Sequence, residues 1–217
     1  MTKSSDAPSE RTRVKRLHER GRYDQETIYS ILNATPLCHV AYTIDGKPYV
    51  TPTLQWREGD RVYWHGSSAS QMLRAAEDND VCLAITMLDG LVLARSALHH
   101  SVNFRSVMLF GRPEEVPVDD KEKLMRAFLE GLYPGRWDSL RPVKEKELKA
   151  TKILSMAIDE ASAKVRTGQP VDDEEDYALP IWAGVIPLVP SALPPEPDPR
   201  NLPEVEMPGH VRSVKPG

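Results

Sequence analysis

The chain has 217 residues, of which 40% are hydrophobic, enough for one sizeable domain with a buried core. Its formal net charge of −4 gives no broad positive surface for nucleic acid. No apolar run reaches the length of a membrane span, and the polar start MTKSSDAPSE lacks the apolar stretch of a signal peptide. We therefore expect a cytoplasmic protein that binds neither nucleic acid nor membrane.

The first 22 residues are predicted to be a flexible basic segment. Its most basic stretch, RTRVKRLHERGR at 11–22, can be a solvated lead-in or an arm that binds phosphate. Asp24 then suits the N-cap of a first helix, whose apolar stripe is Ile28, Ile31 and Leu32.

Strand signals follow the first helix. The runs LCHVAYTI and PYVTPTLQW flank the hairpin signal Asp45-Gly46, and RVYWHG comes after a turn at 58–60. These three runs predict a meander. Cys38 and Cys82 lie in apolar strand-like runs and are predicted to be buried thiols in a reduced compartment.

The middle of the chain continues this pattern. A short helix at SASQMLRAAEDN precedes two predicted strands, VCLAITML and LVLARSAL, that are separated by a turn at Asp89-Gly90. The run NFRSVMLFGR supplies a sixth strand. A second long helix is predicted to begin behind Asp119 or Asp120.

The last strand is predicted within ILSMAIDEASAKVR, and a proline-rich tail follows. Ten of the 19 prolines fall at 180–217, which excludes regular helix and central strand there. Five consecutive acids, Asp172 to Asp176, precede the tail and are read as a solvated loop. We expect the tail, 189–217, to be extended or disordered.

Six or seven mostly antiparallel strands with two or three peripheral helices predict a mainly β domain at 23–188. Closure into a small barrel removes the exposed edges that an open sheet would leave.

The turn after the third strand is one candidate for chemistry. His65 ends the strand, Gly66 frees the backbone, and Ser67, Ser68 and Ser70 lead into a helix. Unpaired amides and the positive end of a helix suit an anion such as phosphate. One of the serines can equally be an ordinary N-cap.

The polar start of the sixth strand is the other candidate. The fork of Arg105 suits phosphate or the carbonyl edge of a planar heterocycle, and Asn103 and Ser106 can donate to ring atoms. Strand alternation places the side chains of Arg105 and Ser106 on opposite faces, so both cannot enter one pocket by side chain.

Other site types find no support in the pattern. The four histidines His39, His65, His99 and His100 lack the spacing of a metal site, so no metal is predicted. The sequence also lacks the G-x-S-x-G elbow, the G-x-G-x-x-G fingerprint and the phosphate-binding loop of nucleotide triphosphatases.

The pieces WHGS, NFRSV and PIWAG, in this order, resemble the pyridoxamine 5′-phosphate oxidase-like flavoproteins of the FMN-binding split-barrel fold. The resemblance covers about Arg11 to Leu188 and is closest to the branch with nitroimidazole-resistance reductases. It implies an antiparallel split barrel that forms a homodimer, with FMN in clefts between the subunits and FAD as an alternative cofactor.

The resemblance also implies which positions hold the flavin. The second strand lines the ring, the turn into the helix holds the phosphate, and the sixth strand contacts the ring edge or ribityl chain. A C-terminal aromatic closes the pocket. The implied residues are Thr51, Pro52, Thr53, Leu54, His65, Gly66, Ser67, Ser68, Ser70, Gln71, Asn103, Arg105, Ser106 and Trp182.

One residue departs from the family pattern. Relatives usually carry lysine or arginine near position 71, where this chain has Gln71. A neutral amide gives up a charge-assisted bond to phosphate, and Arg74 or Arg105 is the available substitute.

Three functions remain open from sequence. The first is an FMN-dependent oxidoreductase that passes hydride or electrons to a small acceptor, with NAD(P)H as a possible donor and His65 as the candidate proton donor. The second is a non-catalytic carrier or sensor that binds flavin or haem. The third is a degenerate barrel without cofactor.

Overall fold

Antiparallel strands make up most of the ordered structure in the computed structural model, which describes residues 6–213. The strands are β1 (Gly21–Arg22), β2 (Leu37–Ile44), β3 (Lys47–Glu58), β4 (Arg61–Ser67), β5 (Val81–Leu93), β6 (Ser101–Gly111), β7 (Glu114–Glu115), β8 (Thr151–Ala157), β9 (Glu160–Arg166) and β10 (Gly184–Pro187). The helices are α1 (Gln25–Ala34), α2 (Gln71–Asp78), α3 (Val118–Leu132) and α4 (Glu145–Ala150).

The strands form one sheet in the order β1-β9-β6-β5-β2-β3-β4-β8-β7, with β10 added beside β5. This confirms the mainly antiparallel β fold. The predicted closure is wrong, because the order has two free ends. The described chain also has ten strands where six or seven were predicted, and four helices where two or three were. The strand count is higher partly because β8 and β9 are separate strands, which pair with β4 and β6 respectively.

Two predicted strand boundaries are corrected. The run at 153–166 contains two strands, because the chain turns at Ile158 and Asp159 between β8 and β9. The turn predicted at Asp89-Gly90 is instead an irregularity inside the continuous strand β5, where the pairing register with β6 shifts. Gly90 is needed there, since an added Cβ would meet the carbonyl oxygen of Ile186 on β10 at 3.1 Å.

The start of α1 was predicted correctly, whereas the start of α3 was not. Asp24 is the N-cap of α1, as predicted, and its carboxylate accepts a 2.8 Å hydrogen bond from the amide of Thr27. Helix α3 begins earlier than predicted, at Val118 after Pro117. The two acids Asp119 and Asp120 lie in its first turn, where they complement the helix dipole.

The interior divides into two apolar clusters on opposite sides of β4. Val62 and Trp64 point into the main core with Leu83, Leu109 and Leu154. On the other side, α3 covers a smaller cluster of Trp56, Val116, Phe128 and Ile153. Both cysteines are free thiols; Cys38 is buried as predicted, whereas Cys82 is only half-buried, because it points to the outer face of β5. Burial raises the pKa of Cys38 to about 12.

The N-terminal segment lies along the sheet. Thr12 is buried, Arg11 forms ion pairs with Asp80 and Glu160, and β1 pairs with β9. The first five residues of the predicted segment 1–22 and the last four of the tail 189–217 lie outside the described residues. Among the helices described, none has the length and apolar character needed to cross a membrane.

Candidate functional site

An opening in the sheet between β3 and β4 is the feature around which the predicted site residues lie. The two strands pair from Gln55↔Trp64 to Glu58↔Arg61 only. Beyond that point residues 51–54 of β3 pair with β2, and residues 65–67 of β4 pair with β8. The two predicted stretches therefore border the same opening.

At one border the chain turns from β4 into α2. Ser70 is the N-cap of α2, and its hydroxyl accepts from the amide of Leu73. The hydroxyl of Ser67 accepts from the amide of Ala69 at 3.2 Å. Ser67 and Ser70 therefore each stabilise the turn or the helix start, as the N-cap alternative from the sequence predicted for one of the serines.

Close packing of this turn explains the glycine. An added Cβ on Gly66 would meet Cδ1 of Leu73 at 3.2 Å, so the strand end lies directly against α2. Ser68 and Gln71 are exposed, and their side chains have no hydrogen-bond partner among the described residues. Helix α2 has no acid in its first turn, which leaves its N-terminal end electropositive.

At the other border the side chains of β3 alternate between two faces. The hydroxyl of Thr51 lies 3.1 Å from that of Tyr42, and Thr53 is half-buried on the same side. Pro52 and Leu54 are exposed on the opposite, outer side. Only these two of the four predicted residues present side chains to the outside of the single chain.

The polar start of β6 is partly structural. Asn103 is buried, donates from Nδ2 to the carbonyl of Gly168 at 3.1 Å, and accepts from the guanidinium of Arg166. Its amide is thereby committed to fixing the loop after β9.

Arg105 and Ser106 point to opposite faces, as alternation predicts. The guanidinium of Arg105 donates to both carboxylate oxygens of Asp89, at 2.8 and 2.9 Å, and this raises its pKa. The hydroxyl of Ser106 donates to the carbonyl of Lys164 at 3.3 Å. A phosphate contact from Arg105 would have to compete with Asp89.

His65 points away from the main core. Its ring meets Trp56 and Phe128 edge-on, with centroids at 5.9 and 5.3 Å, beneath α3. Its Nδ1 is buried and lacks a hydrogen-bond partner among the described residues. Burial lowers the pKa of the imidazole, so the neutral form is present at pH 7.

Trp182 lies near the start of the tail strand β10. Its ring folds back on Gly184, where an added Cβ would meet ring carbons at 2.9 Å, yet the residue remains 70% exposed. A large aromatic side chain in this state has surface left for a further contact.

Sequence reasoning missed the role of the acid run. Asp172 is a buried residue that accepts hydrogen bonds from the amide and the guanidinium of Arg95, so it is not solvated. Among the described residues, one group has the composition of a metal site, namely His99, Asp172 and Asp176. Arg95 already neutralises the central carboxylate of that group.

Sequence reasoning also missed Arg166. Its guanidinium is buried and hydrogen-bonded to neutral oxygens, those of Asn103 and of Gln169. The only signal was a cationic residue at the end of a strand, which does not distinguish a buried arginine from an exposed one.

The sequence was compared with models of protein families and with curated proteins. The model of the family described as pyridoxamine 5′-phosphate oxidase matches residues 24–165. No curated protein matches the sequence.

Many solved structures are similar to this chain, and three of them are described here. The flavocytochrome Anf3 from Azotobacter vinelandii is 57% identical with a TM-score of 0.95, over 98% of this chain and 100% of that one. The FAD and haem binding protein from Mycobacterium smegmatis is 36% identical with a TM-score of 0.87, over 91% and 98%. A protein described as a 5-nitroimidazole antibiotic resistance protein from Bacteroides thetaiotaomicron, at 21% identity and a TM-score of 0.57 over 67% and 86%, shares the fold.

Proposed function

Since this chain belongs to the pyridoxamine 5′-phosphate oxidase family, we propose that it is a flavin-binding redox protein that takes FMN or FAD at the opening between β3 and β4. The observation that carries the proposal is that opening, with residues 51–54 on one side and the electropositive start of α2 on the other. The resemblance assigns the flavin ring to the first border and its phosphate to the second.

The start of α2 offers hydrogen-bond donors to a flavin phosphate. The first amides of α2 point out of the helix end, and the free hydroxyl of Ser68 adds a donor. The charged residue that relatives carry near position 71 is absent, so a charge-assisted bond at this end depends on the exposed Arg74, one turn further along α2. The expected affinity is therefore modest.

We also propose a homodimer. The outer face of β2, β3 and β6 exposes apolar side chains that a monomer would leave in water: Leu37, Val50, Leu54, Val102 and Met108. Residues opposite one another in the sheet share a face, which puts Val50 with Ala41 and Leu37 with Leu54 on this surface. A second copy against it would cover Pro52 and Leu54 and complete the cleft.

When bound, the flavin supplies hydride or single-electron transfer to a small acceptor. The residues of this chain contribute position and shielding. Thr51 is held by Tyr42, and Leu54 is available to exclude water from the ring. NAD(P)H is the donor we propose to test first.

A second candidate function is a flavocytochrome that carries haem as well as flavin. It is favoured because the relatives that are 57% and 36% identical are a flavocytochrome and an FAD and haem binding protein. In this chain, His65 offers a neutral imidazole with an orphaned, buried Nδ1 among aromatic rings. Neutral imidazole in an apolar setting is a common haem-iron ligand, so His65 is the residue we propose for that role.

His65 thus has two proposed roles, proton donor in an oxidoreductase or iron ligand in a flavocytochrome. The donor role requires the imidazole to reach substrate at the flavin. The ligand role requires α3 to make room, since Phe128 now lies against the ring. An open pocket of about 260 Å³ is lined by Trp56 and Phe128 but not by His65, so the imidazole would have to be uncovered from beneath these rings.

Absorbance spectra of the purified chain test both candidates. The protein is titrated with FMN, FAD and haemin, and turnover is followed with NAD(P)H. We expect flavin binding in the wild type and in His100→Ala, the matched control, whose exposed ring is bonded to the carbonyl of Ser96. Absence of flavin binding at high micromolar concentration contradicts the proposed function.

The haemin titration separates the two roles of His65. Loss of the haem Soret band in His65→Ala, with flavin binding retained, supports the iron ligand. No haem binding by the wild type, together with a large loss of turnover in His65→Ala, supports the proton donor.

A further inference from the structure

A buried arginine without a carboxylate partner marks a second polar region, on the β1–β9 side of the sheet. Arg166 is 7% exposed and donates to Asn103 Oδ1 and, at 3.4 Å, to the carbonyl of Gln169. Within residues 6–213 no carboxylate lies within ion-pair distance of it. Buried cations in proteins are as a rule paired with an anion, because an unpaired charge is costly to desolvate.

The charged group that acts on Arg166 is another cation, Arg20. Burial, and then the positive charge of Arg20, lower the pKa of Arg166. Arg20 itself is partly exposed, and its one acidic neighbour in the described chain is Glu19 at 3.8 Å, an exposed residue. Two like charges brought together at a partly buried place repel each other unless an anion lies between them.

A third cation joins this pair. Lys164 precedes Arg166 by two residues on β9, so the two side chains share a face of the strand. β1 brings the chain next to Arg20 alongside it, because Gly21 pairs with Lys164. In the part of the chain that the structure describes, the ammonium of Lys164 forms no ion pair.

Several other cations of the basic stretch at 11–22 differ from Arg20 in their ion pairs. Among its earlier cations, Arg11 pairs with Asp80 and Glu160, and Arg13 and Lys15 share the one carboxylate of Glu10. Arg20, Lys164 and Arg166 therefore bring three positive charges to the β1–β9 side of a protein whose net charge is −4.

We propose that Arg20, Lys164 and Arg166 form a binding site for a phosphate-type oxyanion of two or more negative charges. Guanidinium forks bind phosphate oxygens in pairs, and the carbonyls of Asn103 and Gln169 hold the fork of Arg166 in a fixed orientation. The ligand is either the diphosphate of a dinucleotide such as FAD or a free phosphate compound. The site does not depend on the proposed flavin function.

The test uses inorganic pyrophosphate as the probe and titration calorimetry on the full chain. Arg20→Gln and Lys164→Gln each remove one charge while Arg166 stays in place, so the buried network keeps its hydrogen bonds. Arg126→Gln is the matched control, an exposed arginine on α3 that pairs with Asp138. We expect the wild type and the control to bind with a dissociation constant of about 1 mM or tighter, and each site variant to bind about tenfold more weakly.

The same variants identify the source of the oxyanion. If Arg20→Gln weakens FAD about tenfold and leaves FMN unchanged, the ligand is the diphosphate of the dinucleotide. If pyrophosphate binding falls and both flavins are unaffected, the ligand is a free phosphate compound. Pyrophosphate bound by a chain that takes no flavin would contradict the proposed function and leave this site standing.

Two results overturn the inference. One is a wild type that shows no heat of binding with pyrophosphate at about 10 mM. The other is binding that is equal in Arg20→Gln, Lys164→Gln and the control.

Discussion

The guanidinium of Arg105 is bound to the carboxylate of Asp89 by two parallel hydrogen bonds across the irregular point of β5, from Nε to Oδ2 at 2.9 Å and from Nη2 to Oδ1 at 2.8 Å. The sequence suggested that this arginine faces a ligand. Within the fold, the side chain of Arg105 instead binds Asp89 on the neighbouring strand β5.

This pair predicts a measurable coupling. Arg105→Ala, Asp89→Ala and the double variant are compared by urea unfolding. Because both side chains are partly exposed, water and salt screen the pair, and we expect a coupling free energy of about 0.5–1 kcal/mol. A coupling of zero, with flavin affinity strongly reduced in Arg105→Ala alone, would instead show that the arginine acts on the ligand.

Gln71→Lys is expected to strengthen flavin phosphate binding. The residue is exposed at the first position of α2, where an ammonium group can make a charge-assisted hydrogen bond to phosphate. We expect FMN to bind about tenfold more tightly, as measured by quenching of flavin fluorescence. The cost is a helix start destabilised by roughly 0.3–1 kcal/mol, since a cation opposes the dipole there. Gln71→Met, which adds no charge, should leave affinity unimproved, and equal gains in both variants would refute the electrostatic reason.

Val50→Glu is expected to produce a folded monomer. Val50 is 63% exposed on the outer face of β3, so a carboxylate is tolerated in one chain but repels its copy in a symmetric interface. Sedimentation velocity measures the change of mass, and flavin affinity should fall with it. Val171→Glu is the control, because Val171 is similarly exposed but lies outside this face. A dimer that survives in Val50→Glu would place the interface elsewhere.

We expect the buried His65 to make the folded protein less stable in mild acid. Its folded pKa is lowered by burial, so below a pH of about 6.5 the unfolded chain takes up a proton that the folded chain does not. The contribution of His65 to stability is therefore complete at high pH and decreases as the pH falls through the unfolded value, until the folded pKa is reached. His65→Phe should remove this dependence.

Unfolding midpoints of His65→Phe and the wild type between pH 5 and 8 provide the measurement. His100→Ala serves as control. Parallel pH curves for the wild type and His65→Phe would mean that the imidazole titrates normally.

The sequence was informative where local chemistry decides the structure. The N-cap at Asp24, the hairpin at Asp45-Gly46 and the serine cap at Ser70 each depend on a few adjacent residues. The family pattern added the mainly antiparallel fold. These features could be predicted because no distant contact competes with them.

Errors arose where distant strands decide the outcome. Asp89-Gly90 has the composition of a turn, but pairing with β6 and β10 on both sides keeps β5 continuous. Asp172 begins an acid run that looks solvated, yet Arg95, 77 residues away in sequence, draws it into the protein. Arg166 likewise gives no local sign of burial, since Asn103 and the loop after β9 together enclose it.

The parting of β3 from β4 has a mechanical consequence. Residues 51–54 keep all their ladder bonds to β2, and residues 65–67 keep theirs to β8, whatever the width of the gap between them. Each border of the opening is thus held by its own neighbouring strand, and a ligand placed between the borders displaces no ladder hydrogen bond of either one.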